Sequence, residues 1–150
     1  MISMKAFFYN LKELDSLAQL IYTKYLKKKS SPPLFILIGD MGSGKTTFVK
    51  NIVEENLNSK NIVTSPTYSY INTYRSKSRL QINHFDLFRL KNIEQFEHMG
   101  FNEYLDFNND ITFIEWGELI LPLIKNKPHL ILKFEQTGEL ERKLSITENR

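Results

Sequence analysis

The chain has 150 residues, 41% of them hydrophobic, 25% charged and 13% aromatic, with five prolines and six glycines. This balance excludes a low-complexity, collagen-like or wholly disordered chain, and the length suits one compact unit over residues 1–150 with a buried core. Twenty Lys plus Arg against seventeen Asp plus Glu leave +3, too mild an excess to indicate nucleic acid by itself, and the absence of cysteine excludes disulfides and thiolate metal sites.

A reducing, cytoplasmic compartment is the expectation from cysteine usage. Apolar runs reach about six residues, against the roughly 20 of a membrane span, and Met1 to Asn10 lacks the basic start and apolar centre of an export signal. Neither a membrane-spanning nor a secreted chain is expected.

Ile2 to Tyr9 reads as an aromatic-rich strand, and Asn10 followed by Glu13 has the spacing of a helix N-cap with its answering carboxylate. Leu14, Leu17, Ala18, Ile21 and Tyr25 then recur at helical spacing, until Lys27-Lys28-Lys29-Ser30-Ser31-Pro32-Pro33 ends the pattern in a solvated, dipole-favoured terminus. Leu34 to Ile38 is an uninterrupted apolar run, as expected of a strand buried on both faces at the centre of a mostly parallel sheet. A glycine-rich turn, Gly39 to Gly44, leads into a helical pattern from Lys45 to Leu57 carrying Phe48, Ile52, Val53 and Leu57.

Ile62 and Val63 follow, and then the alternation from Tyr68 to Tyr74, a polar turn at Ser76 to Ser78 and the run Leu80 to Leu87 predict an antiparallel excursion. Asn92 to Met99 and Phe101 to Phe107 predict two short helices broken at Gly100. Ile111 to Ile114 is a second buried strand ending in Glu115, residues 117–124 predict one further helix stopped near Pro122 or Pro128, and Leu130 to Phe134 with Leu140 to Ile146 predict a terminal hairpin.

Gly39-Asp40-Met41-Gly42-Ser43-Gly44-Lys45-Thr46 matches G-x-x-x-x-G-K-[ST], between an apolar strand and a helical pattern. Glycines at 39, 42 and 44 permit positive φ and close approach to an oligophosphate, so that successive amides form an anion-binding nest. Lys45 is expected to reach the β and γ phosphates, and the Thr46 hydroxyl to ligate Mg2+ bridging them, with Thr47 as a second hydroxyl nearby.

Such a cradle needs acids at the ends of neighbouring strands. Glu115, after four mostly apolar residues, has the pattern of a Walker B acid that reaches magnesium directly or through water. Asp86, after Ile82-Asn83-His84-Phe85, has two readings, an acid beside the phosphates or a helix N-cap. Ser65-Pro66-Thr67 has two readings as well, a turn or a mobile segment whose Thr67 hydroxyl senses the terminal phosphate. Trp116, the single tryptophan, covers the metal site, faces a partner or belongs to the core. His84 reads as packed in the sheet, not catalytic, and His84, His98 and His129 show no zinc-ligand spacing.

GDMGSGKTTFVK, SPTYSYINTY, HFDLFRL, EHMGFNEYL and IEWGE, in that order, resemble the TsaE (YjeE) family, from about Asn10 to the C-terminal hairpin. The resemblance implies an α/β, P-loop NTPase-like single domain whose mostly parallel central sheet carries an antiparallel excursion and a C-terminal β-hairpin. It implies an ATP and magnesium site including Asp86 and Glu115, a switch-like segment from Ser65 to Tyr68, and a role for Trp116 at the active face. It also implies a slow ATPase acting on a TsaB–TsaD complex that modifies adenosine 37 of tRNA, the pathway's substrate. Two positions depart from the family pattern. Gly117 stands where the family usually has proline, which is expected to loosen the turn, and Phe88 replaces the commoner tyrosine.

A small-molecule P-loop kinase is the rival reading, disfavoured because only Arg142 and Arg150 follow Glu115 where such kinases usually carry an arginine-bearing lid. A GTPase-type switch is the second, disfavoured because Asn126-Lys127-Pro128-His129 lacks the aspartate of a guanine-reading loop.

Overall fold

The computed structural model describes residues 2–27, 34–58, 62–106 and 110–150. The Lys28-to-Pro33 part of the basic run, and Phe107 at the end of the second short helix, lie outside the described residues.

Seven strands form one sheet: β1 (Ile2–Asn10), β2 (Leu34–Ile38), β3 (Ile71–Arg75), β4 (Gln81–Asp86), β5 (Ile111–Glu115), β6 (His129–Gln136) and β7 (Glu141–Asn149). Their spatial order is β1-β7-β6-β2-β5-β4-β3. The four central strands β6, β2, β5 and β4 run parallel, while β1, β7 and β3 complete the two sides antiparallel to their neighbours. The expected excursion is the β3–β4 pair and the expected hairpin is β6–β7. No helix among the described residues is long and apolar enough to cross a membrane.

Strand alternation divides the core into two layers. Phe35, Leu37, Ile82 and Phe113 point into one layer, shared with α1 (Leu14–Ile21) and α2 (Lys45–Lys50). Leu34, Ile36, Phe85 and Ile114 point into the other, shared with α3 (Ile93–His98) and the 3-10 turns Phe101–Leu105 and Gly117–Ile124. Within this second layer the Phe85 ring packs edge-on to Phe101 at 5.1 Å and to Tyr104 at 5.2 Å.

The Asn10–Glu13 cap forms as expected: the Glu13 carboxylate accepts the Asn10 amide at 2.7 Å, and Asn10 Oδ1 accepts the Lys12 amide at 2.9 Å. All five apolar positions of the stripe it opens, Leu14 to Tyr25, are buried. Both major helices end differently from expectation. Each widens into i→i+5 turns, Tyr22–Leu26 after α1 and Asn51–Asn56 after α2, with the Lys27 amide on Tyr22 O and the Leu57 amide on Ile52 O, both 2.9 Å.

The strand predicted from Tyr68 begins at Ile71, because residues 67–70 form a turn in which Tyr70 adopts φ 65° and its carbonyl accepts the Asp86 amide at 2.9 Å. The 3-10 turn from Gly117 runs through Pro122 and stops at Ile124.

Candidate functional site

The site lies where the parallel strands end. β2 stops at Ile38, and Gly39 enters the loop at φ 157°, where a Cβ would stand 2.6 Å from Ser43 Oγ and 2.7 Å from Phe134 O. Only glycine fits that crossing beside β6. Gly42 and Gly44 also take positive φ, 76° and 105°, and the chain then enters α2. The first bond of this helix joins the Phe48 amide to Gly44 O at 2.9 Å, so the amides of residues 45–47 precede its ladder.

Lys45 is buried, and its ammonium donates to Gly39 O at 2.5 Å and Asp40 O at 2.9 Å. It also stands 4.3 Å from the centre of the Trp116 ring. Burial holds its pKa below the ordinary lysine value, against the opposing pull of Glu115, Glu118, Asp86 and Asp40.

Two carboxylates close the other side. Asp86 ends β4 and Glu115 ends β5, and the two residues are register partners, both 3% exposed. Thr46 Oγ1 lies 2.8 Å from Glu115 Oε1 and 3.1 Å from Oε2. With Asn92 as the N-cap of α3, Asp86 caps no described helix and bonds instead to a turn and a loop. Its Oδ1 accepts the Phe88 amide at 2.9 Å and fixes the turn after the strand, while Oδ2 accepts Thr67 Oγ1 at 2.6 Å and Ser65 Oγ at 3.1 Å. The Ser65–Thr67 segment is therefore tied to a buried acid.

These groups line a cleft of about 480 Å³, formed by residues 41–47 with Ser65, Thr67, Asp86, Phe88, Glu115 and Trp116, and bounded on its apolar side by Leu11 and Leu14. Met41, Gly42, Ser43, Gly44, Lys45, Thr46 and Thr47 are thus brought together with Thr67, Asp86 and Glu115. Gly39 and Asp40 stand behind the wall and contribute carbonyls to Lys45. A larger open basin, about 710 Å³ between β1 and α1, is lined by Lys5 and Lys24 and holds no carboxylate.

The donor set suits magnesium. Hydroxyl and carboxylate oxygens of the kind that ion prefers meet at Thr46 and Glu115, and Ser43 Oγ, buried at the cleft, has no hydrogen-bond partner among the described residues.

Two features escaped the sequence reading. His84 is packed in the sheet as expected, fully buried, yet its Nε2 lies 2.7 Å from Glu115 Oε1. The signal was its place two residues before Asp86, on the same strand face. Leu14 was legible only as the start of a helix stripe, and Leu11 carried no reading at all. Trp116, in the left-handed region at φ 56°, packs on Phe88 with ring centres 4.9 Å apart, so phenylalanine keeps the ring contact at position 88. The turn after Glu115 is close-packed and not loosened: a Cβ on Gly117 would fall 2.5 Å from Ile36 Cγ2.

A glycine-rich loop joining the central strand of a parallel sheet to a helix, with acids ending two neighbouring strands, defines a P-loop NTPase-like protein. Residues 8–144 match the family described as "Threonylcarbamoyl adenosine biosynthesis protein TsaE". The chain belongs to the TsaE family.

It is similar to the tRNA threonylcarbamoyladenosine biosynthesis protein TsaE of Rickettsia felis, 34% identical over 93% of this chain and 77% of that one. The protein of the same name from Borreliella burgdorferi is 37% identical over 70% and 74%, respectively. The crystal structure of Bacillus subtilis YdiB shares the fold, with a TM-score of 0.70 and 24% identity over 99% of this chain and 87% of that chain.

Proposed function

We propose that this chain, residues 1–150 acting as a single ATPase domain, binds ATP with Mg2+ in the cleft and hydrolyses it in support of tRNA threonylcarbamoyladenosine formation in the cytoplasm. The observation that carries this reading is the meeting of Thr46 and Glu115 at 2.8 Å beneath the glycine loop, with the Lys45 ammonium on the same floor.

Met41 to Thr47 would cradle the phosphates through their amides, and Lys45 would neutralise the β and γ oxygens. Thr46 and Glu115 would hold magnesium, which would supply positive charge to the phosphate oxygens. Asp86, through Thr67 and Ser65, would couple the terminal phosphate to the 65–67 segment and orient the attacking water. The Trp116 ring would keep the lysine ammonium in place, 4.3 Å from its centre.

The partner in this reading is a TsaB–TsaD complex, with tRNA as the pathway's substrate; what supports the pathway is the family's description as a threonylcarbamoyl adenosine biosynthesis protein. Hydrolysis would reset that assembly between turnovers, its energy spent on conformational change in the partner.

Single-turnover release of phosphate from magnesium ATP, with and without TsaB–TsaD, tests the function. Release that rises with the complex and is lost in Lys45→Ala is expected. Tight binding with no release would make the chain a regulatory binder, and faster release from GTP, or transfer to a small acceptor, would favour the switch or kinase reading.

A further inference from the structure

We infer that His84 is a positioning residue for the metal-binding carboxylate, holding Glu115 in the orientation that Thr46 shares. The inference rests on the magnesium site proposed above. His84 lies in β4, laddered on one side to β3 and on the other to β5, with no exposed surface. The Tyr74 ring lies 6.3 Å from its imidazole. The ring is therefore held from the backbone on both sides and packed from above.

Facing a carboxylate at 2.7 Å, Nε2 donates its hydrogen to Glu115 Oε1. Thr46 reaches both Glu115 oxygens, and on Oε2 its hydroxyl is the one donor among the described residues. The histidine thus anchors Oε1, the oxygen that Thr46 also approaches more closely, from the sheet side, and leaves Oε2 to the threonine hydroxyl.

Packing alone does not account for an imidazole here. Its Nδ1 is buried and has no hydrogen-bond partner among the described residues, a cost that leucine or phenylalanine would not carry. Hydrogen-bonded groups behind a metal ligand set its orientation, and losing one typically weakens metal binding by about 10–100-fold.

The test uses the full chain with ADP and Mn2+ as a spectroscopic probe for the metal, followed by electron paramagnetic resonance. His84→Leu is expected to weaken Mn2+ binding by about 10–100-fold while ADP affinity without metal is unchanged. His84→Gln, whose amide nitrogen can take the place of Nε2, should recover most of the loss. Native Mn2+ affinity in His84→Leu, equal impairment in the two variants, or an equal loss of metal-free ADP affinity would overturn the inference.

Nitrogen NMR of the native, ligand-free chain supplies a reading that needs no variant to fold: a hydrogen on Nε2 is expected, and one on Nδ1 alone overturns it. A native chain that takes up no Mn2+ with ADP would overturn the magnesium site itself, whereas the variant outcomes above leave that site standing.

Discussion

Glu115 and Asp86 are side by side across β5 and β4, yet their partners differ, and in the proposed function this would give them separate work. Glu115 holds the Thr46 hydroxyl at the end of the glycine loop, and Asp86 holds the hydroxyls of Ser65 and Thr67. Glu115→Ala should therefore lower the magnesium-dependent rate by more than the roughly 10–100-fold that losing a group behind a metal ligand costs. Asp86→Asn should keep most of the metal affinity and lose turnover. Metal titrations of phosphate release separate the two, and equal metal defects would contradict the division.

Tyr9 offers a stability test outside the cleft. Its hydroxyl is buried without a partner among the described residues, and burial raises its pKa above the ordinary 10.0, with Arg142 pulling the other way. The folded chain then keeps the phenolic proton more tightly than the unfolded chain. The contribution of Tyr9 to stability is accordingly full below pH 10.0 and falls as pH rises toward the folded value. Tyr9→Phe should raise stability by about 1 kcal/mol at neutral pH, since it removes an unpaired buried hydroxyl, and should flatten the alkaline decline in denaturant melts. A steeper decline would contradict this.

Among the elements, the turn after β5 carries the sharpest packing constraint. Trp116 turns in the left-handed region, its amide donating to Leu37 O at 3.0 Å, and Gly117 lies against Ile36. Gly117→Ala should cost about 1–3 kcal/mol through overpacking, and less in an Ile36→Leu background, where the Cγ2 branch is gone. A denaturation double-mutant cycle measures that coupling, and additive effects would contradict the close contact.

The helix stripes, the cap at Asn10, the buried runs at 34–38 and 111–115 and the glycine loop were all legible in the sequence, because each is a local pattern of period, cap or composition. The start of β3 was not, since alternating tyrosines continue through Tyr68 and Tyr70 while the Tyr70 carbonyl is drawn to the Asp86 amide from another strand. The need for glycine at 117 was also hidden, because the neighbour that requires it, Ile36, is far away in sequence. His84 escaped for a related reason: strand spacing puts it on the same face as Asp86, but only the β4–β5 pairing brings it to Glu115.

For the molecule as a whole, the sheet order explains why the site forms where it does. Placing β2 between β6 and β5, with β4 beyond, brings the glycine loop, Glu115 and Asp86 to one end of four parallel strands, the end at which α/β sheets receive ligands. The antiparallel strands at the sides extend the sheet without contributing an acid to the cleft. Exposed Met41 and Phe88, together with half-buried Trp116, rim the same cleft, so nucleotide and any partner seated there would share one face.

Calorimetric titration of the full chain with magnesium and a non-hydrolysable ATP analogue, run in parallel on Lys45→Ala, tests the central claim most directly. One nucleotide per chain, with binding lost in the variant, is the predicted result. No binding to the native chain at saturating nucleotide, or equal binding by the two chains, would contradict it.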